Sequence, residues 1–267
     1  MFEEGGFDLH THSAVDNLTS LQAYENLIKG IKHSPEEAVI KAKEVGLDGI
    51  ALTNHDDFDY KTIDKFLDAA AKYGLIGVPG IEITSMSGLY FPHILAIGVD
   101  PGVVTKSKYR IPSLQKPGIV IDWINDHGGV AIAAHPIHDR LMRDPTLVAT
   151  SFTHEQVEAL VHKLDGIEVQ NPGIDPYPAS EEPDARLVAM ARKYDKATLA
   201  SSDAHRLTDI GIVRTKIYRT VSTWEDVREA IRDRQTDPFH LVRIPGESGY
   251  LLNDRHPQLL LQAYVRD

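Results

Sequence analysis

The stretch Gly128-Gly129-Val130-Ala131-Ile132-Ala133-Ala134-His135-Pro136 decides the fold class. Its two glycines close the amphipathic segment 118–127. A short, wholly apolar run follows, and it ends on a histidine and a proline suited to a helix start. A strand without polar alternation is one covered on both faces, as in a parallel sheet clad by helices. The same grammar recurs along the chain. Strands are expected at 7–10, 49–53, 76–83, 94–99, 130–135, 166–170 and 198–202. Helices are expected at 38–45, 64–73, 118–127, 184–194 and 224–234. Ser34-Pro35-Glu36-Glu37 supplies the first of these with a cap, a first-turn proline and two acids at the positive end of the dipole, and Gly46 stops it. This alternation, with no low-complexity linker, predicts one α/β domain over 1–237: an incomplete or distorted parallel barrel, with an open doubly wound sheet as the alternative. Residues 238–267 break the rhythm and read as a packed tail, with a short helix at 257–264 and a candidate dimer contact.

Composition narrows the function. The chain has 267 residues, 42% hydrophobic and 25% charged, which excludes a disordered or collagenous protein. It has no cysteine, so thiol nucleophiles, thiolate-bound zinc and iron–sulfur clusters are ruled out. Thirty-nine acidic against 28 basic residues leave a net charge of −11, which argues against nonspecific binding to nucleic acid or anionic membrane. The amino terminus lacks signal-peptide character and no stretch of about 18 apolar residues occurs, so a soluble, cytoplasmic protein is expected.

The histidines lie where the strands end. Asp8-Leu9-His10-Thr11-His12 ends the first strand, and residues two apart in extended chain project to the same side. Thr53-Asn54-His55-Asp56 ends the second, Gly80-Ile81-Glu82 the third, His135 the fifth and Ser202-Asp203-Ala204-His205 the seventh; His93 lies just before the fourth. Carboxyl ends of parallel strands converge on one rim. That many imidazoles in one cavity would each need a partner for every ring nitrogen, and divalent metals supply them. Imidazole with carboxylate suits zinc, manganese or iron.

These blocks, together with Asp165-Gly166-Ile167-Glu168-Val169-Gln170-Asn171, resemble in content and order the PHP family, named for polymerase and histidinol phosphatase domains. The resemblance spans about residues 7–235. It implies a distorted seven-stranded (β/α) barrel, two or three divalent metals (Mn, Zn or Fe) and hydrolysis of phosphoesters by a metal-bound hydroxide. Residue by residue, it implies His10, His12, Glu82 and Asp203 around a first metal, and His55 and His205 at a second, completed by an acid after the His-x-His pair. Glu82 would bridge to a third, with His93 and His135. The acid is expected to be Asp16, with Asn17 the competitor and a plain turn role for both the alternative, because Val15-Asp16-Asn17 stands where the family has Ser-Asp-Gly. Asn54 replaces an aspartate that commonly precedes the histidine. Residues 18–32 form an insertion that could lie over the rim as a lid.

The reaction needs an activated water, a held phosphate and a protonated leaving group. A forked cation suits the phosphate, and Arg140 and Arg206 are the favoured candidates, with Arg143 beside them and surface ion pairs as the alternative. His138 is the candidate proton donor, or an exposed loop histidine. Asp8 is placed to orient a ligating imidazole or to bond nearby backbone, and Asn171 to touch substrate or close a turn. The expected activity is hydrolysis of a small phosphomonoester, perhaps a nucleotide, releasing inorganic phosphate. Nuclease and histidinol phosphatase activities are the enzymatic alternatives, and a metal-binding regulatory module is the non-enzymatic one.

Overall fold

The structure is a computed structural model that describes residues 5–14, 31–56, 58–101, 111–136, 151–172, 183–243 and 250–252. Asp16, Asn17, His138, Arg140, Arg143, most of the 18–32 insertion and the expected tail helix lie outside them.

Ten strands form one sheet among these residues. They are β1 (Phe7–Asp8), β2 (Gly49–Leu52), β3 (Ile76–Thr84), β4 (His93–Ile97), β5 (Val130–Ala133), β6 (Gly166–Gln170), β7 (Ala197–Ala200), β8 (Val213–Ile217), β9 (Thr236–Arg243) and β10 (Tyr250–Leu252). Their spatial order is β10-β9-β8-β1-β2-β3-β4-β5-β6-β7. Six helices accompany them: α1 (Pro35–Glu44), α2 (Tyr60–Tyr73), α3 (Pro117–Asp126), α4 (His154–Leu160), α5 (Ala185–Lys193) and α6 (Trp224–Arg232). The sheet curls into a nearly closed barrel. At the seam the Thr215 hydroxyl donates to the Ala200 carbonyl (2.9 Å) and accepts from its N–H (3.1 Å), and Thr198 Oγ1 donates to Thr236 O.

Capping chemistry sets the helix starts. In α1 the Ser34 hydroxyl and the Glu37 carboxylate cap each other's backbone N–H groups, with Pro35 in the first turn. Asp59 caps α2, which ends on left-handed Gly74 (φ 68°). Thr153 and Gln156 form a capping box for α4, a helix absent from the sequence reading.

The sheet is mixed rather than parallel. β1–β2–β3 and β5–β6–β7 are parallel, but β4 runs antiparallel to both β3 and β5. The reason is the connection. Only residues 85–92 separate β3 from β4, enough for a hairpin and too few for a helical crossover. β8, antiparallel to β1 and β9, is a strand the apolar pattern did not reveal. Its Val-Arg-Thr-Lys-Ile sequence hides a buried arginine. Arg214 donates to the carbonyls of Gly211 (3.0 Å), Gly5 (3.4 Å) and Val45 (2.7 Å), tying β8 to the start of the chain and the end of α1. The expected boundary at 237/238 falls inside β9, so the first part of the tail is barrel.

Two cores flank the sheet. An outer one packs Ile50, Leu52, Ile81, Ile83, Ile94 and Ile167 against the helices. An inner one gathers Phe7, Leu9, Val78, Leu95, Ile97, Val130, Ile132 and Leu199 with Val227 and Ile231 of α6.

Candidate metal centre

Period-two geometry carries the inner face of each strand upward from apolar to chemical side chains. On β3, Val78 belongs to the inner core and Glu82, four residues on, stands at the rim. On β4 the direction is reversed. Because β4 is antiparallel, its first residue pairs with the last of β3, Thr84 opposite His93. The hairpin thus brings His93 to the rim where every parallel strand ends. Backbone bonds extend the ladder past the strand ends: His12 N donates to Ala204 O (3.0 Å), Asp56 N to Glu82 O (2.9 Å) and Ala134 N to His93 O (3.3 Å).

Glu82 is the centre of the constellation. Its Oε1 lies 2.6 Å from His93 Nδ1 and 2.9 Å from His135 Nε2. Its Oε2 lies 3.1 Å from His10 Nε2, 3.2 Å from His12 Nε2 and 3.1 Å from His55 Nε2. Asp203 Oδ1 lies 3.3 Å from His10 Nε2, 3.1 Å from His12 Nε2 and 3.5 Å from His205 Nδ1. The His12 ring stacks between those of His55 (4.6 Å) and His205 (4.3 Å). Asp56, His135 and Asp203 all adopt positive φ (53°, 31° and 51°), a conformation costly for residues with a Cβ and held here by the surrounding rim.

Burial opposes the charge of Glu82, yet the imidazoles of His55, His10 and His93 hold its carboxyl well below the usual range. Asp203 is held well below its usual range in the same way, against burial, chiefly by His10 and His12. Burial pushes His10 down, but Asp203, Glu82 and Glu168 outweigh it and raise its pKa well above the ordinary value. The cavity is built for positive charge. Although His10 Nε2 and Glu82 Oε2 are 3.1 Å apart and buried, neither makes a hydrogen bond among the described residues. With a cation in place of its proton, His10 would turn an Nε2 lone pair to the space that Glu82 Oε2 faces, a pairing that fits a bound cation.

Among the described residues, three overlapping groups bring their donor atoms within 4.8 Å of one another: His10, His12, Glu82 and Asp203; His12, His55 and His205; and His55, Glu82 and His93. The first is the expected first-metal set. In the second, His12 joins His55 and His205, and Asp16 lies outside the described residues. In the third, His55 stands with Glu82 and His93, while His135 touches Glu82 but belongs to none of the three groups.

The residue the sequence reading missed is Glu168. Its Oε1 lies 3.3 Å from His10 Nδ1, and its Oε2 accepts from His135 N (2.7 Å) and Asn171 Nδ2 (2.9 Å). One carboxylate thus fixes one imidazole, the backbone of a second and the turn after β6. The available signal was a lone acid between Ile167 and Val169, at a position that alternation turns inward. Asp8, the earlier candidate for this role, bonds elsewhere. It accepts from Ser202 N (3.0 Å), Ser202 Oγ (2.6 Å) and Gly211 N (2.8 Å), and burial pushes its carboxyl up to about 6 despite those bonds. Asn54 Oδ1 accepts from Ser13 N (2.9 Å), pinning the backbone after His12. Arg206, expected over the phosphate, is 73% exposed and forks onto Asp209 (2.9 and 3.3 Å), the surface ion-pair alternative.

Known proteins extend this picture. The family described as PHP-associated matches residues 185–236, which run from α5 through Asp203 and His205 into the start of β9. The error-prone DNA polymerase of Nocardia farcinica is 38% identical over 77 residues, a stretch that is 29% of this chain and 6% of the polymerase. The chain has the PHP fold. Its PHP fold is also that of a two-domain Bacteroides vulgatus protein containing a predicted PHP-like metal-dependent phosphoesterase, at 19% identity and a TM-score of 0.60. The match covers 88% of this chain and 64% of that protein, so the chain spans less than two thirds of it. A Bifidobacterium adolescentis protein, provisionally named a metal-dependent phosphoesterase, is similar in structure at 21% identity and a TM-score of 0.57, over 88% of this chain and 97% of its own.

Proposed function

We propose that the chain is a metal-dependent phosphoesterase that hydrolyses a small phosphomonoester. The observation that carries this reading is the single carboxylate of Glu82 within 3.2 Å of a nitrogen on each of His10, His12, His55, His93 and His135. A structural core has no use for such a focus, whereas a cluster of divalent cations does. His10, His12, Glu82 and Asp203 would hold one ion, and His55, His205 and His93 would complete its neighbours. When bound, such ions acidify water and neutralise phosphoryl oxygens. The chain's own residues do the positioning: Glu168 fixes the His10 ring and the His135 backbone, Asn54 fixes Ser13, and the rim ladder holds Glu82. The small-molecule substrate follows from the charge of −11, which disfavours a polyanion.

The likeness to the Nocardia farcinica polymerase favours a second reading, a nuclease. One experiment separates them. Protein purified without chelator is subjected to elemental analysis and then offered a panel of sugar and nucleotide monophosphates beside a single-stranded oligonucleotide. Bound metal with phosphate release from monoesters supports the first reading, and mononucleotides released from the oligonucleotide support the second. Metal without turnover of either leaves a binding module, and protein without metal refutes all three.

A further inference from the structure

The β3–β4 hairpin continues above the metal cluster. Its register runs unbroken past the Thr84–His93 pair: Ser85 N donates to Pro92 O (2.9 Å), and Ser87 and Tyr90 exchange N–H···O bonds (2.9 and 3.1 Å) around a turn at Gly88 (φ 68°) and Leu89. Residues 86 and 91 are therefore directly opposed, and they occupy the non-hydrogen-bonded site, where side chains stand closest. By the same two-residue period they share the face of Glu82, Thr84, His93 and Leu95, the inner face of the barrel. Met86 and Phe91 are 42% and 37% exposed, so an apolar pair stands open to solvent one ladder step, roughly 7 Å, beyond His93. The wall is held in place. Met86 N donates to Gln115 O (2.8 Å), Leu114 N to Thr84 O (2.8 Å) and Ser85 Oγ to Pro92 O (2.6 Å).

Resting on the phosphoesterase reading, we infer that Met86 and Phe91 are specificity-determining residues that bind a planar apolar group, an aromatic ring carried beside the phosphate. The phosphoryl end meets the histidine cluster and the ring lies on the hairpin face. A ring offers a flat surface to both the Phe91 face and the Met86 sulfur, contacts an aliphatic polyol makes poorly. The pair is neither buried enough to serve the core nor remote enough from His93 to be incidental to the mouth.

The test uses two phosphonates that cannot be hydrolysed, phenylphosphonate and methylphosphonate, titrated calorimetrically into manganese-loaded protein. Wild type is expected to bind the phenyl compound roughly tenfold more tightly, the preference a half-buried ring supplies. Phe91→Ala and Met86→Ala each reduce that ratio severalfold and leave methylphosphonate unchanged. Tyr90→Ala, on the opposite face of the hairpin, leaves the ratio intact. Equal affinities for the two compounds in wild type, or a ratio that survives both Phe91→Ala and Met86→Ala, overturn the inference while the phosphoesterase reading stands. Binding of neither compound refutes that reading and the inference with it.

Discussion

Along the inner face of β4, Ile97 and Leu95 lie in the apolar core near α6, whereas His93, two residues closer to the rim, faces Glu82. The two ends of the barrel are lined by the same strands and differ in almost everything else. At the α6 end, Val227 and Ile231 plug the interior, while Arg228 and Arg232 bond the carbonyls of Gly128 and Gly129 just before β5. At the rim, three residues take positive φ and buried charges crowd one another. One end is relaxed packing that stabilises the fold. The other concentrates desolvated charge and backbone strain, both unfavourable to folding and both useful for gripping cations.

Substitutions can break this contrast. The largest effect is expected from Glu82→Gln, which removes the focal charge: turnover falls by at least ~10³-fold and metal content drops, with circular dichroism unchanged. A folded, fully active variant would show that the rim is not the site. Leu95→Ala, one ladder step below His93 and fully buried, does the opposite. It should lower unfolding free energy by about 3 kcal/mol in urea titration while the remaining folded protein keeps its specific activity. Glu168→Gln lies between these extremes. It keeps the shape but loses the charge beside His10, and the expected result is about 10- to 100-fold weaker metal affinity by competitive chelation.

The smallest effect lies far from the rim. At the start of α5, burial pushes Asp184 up, but its bonds to His154 and to the N–H groups of Leu187 and Arg186 outweigh that and hold its carboxyl at about 2, below the usual 3.8. A depressed acid contributes stability that is present above pH 3.8 and lost as pH falls towards 2. With the side chain 25% exposed, that contribution is about 1 kcal/mol after allowance for solvent screening. Urea midpoints between pH 5 and 2.5 should therefore fall more steeply in wild type than in Asp184→Asn. Parallel curves would place the acid sensitivity of the fold elsewhere.

The rim was legible because its signals are local. Apart from His93, which precedes its strand, each histidine or acid follows a short apolar run, and capping residues such as Ser34 and Pro35 mark where helices restart. What escaped depended on partners distant in sequence. The direction of β4 is set by the shortness of residues 85–92, but a strand's apolar composition carries no arrow. β8 was hidden because Arg214 looks like a surface residue until the carbonyls of Gly5, Val45 and Gly211 surround it. Asp8 and Glu168 are both acids on inner strands, and only the positions of Ser202, Gly211 and His10 separate a backbone buckle from a brace on an imidazole.

The reversed β4 has one more consequence. Chain added between residues 85 and 92 would emerge directly over the histidine cluster, whereas chain added at a strand-to-helix junction must first pass outward to its helix. A lineage could therefore retool what enters the cage by lengthening or trimming this single finger, leaving every ligand and every helix contact where it was.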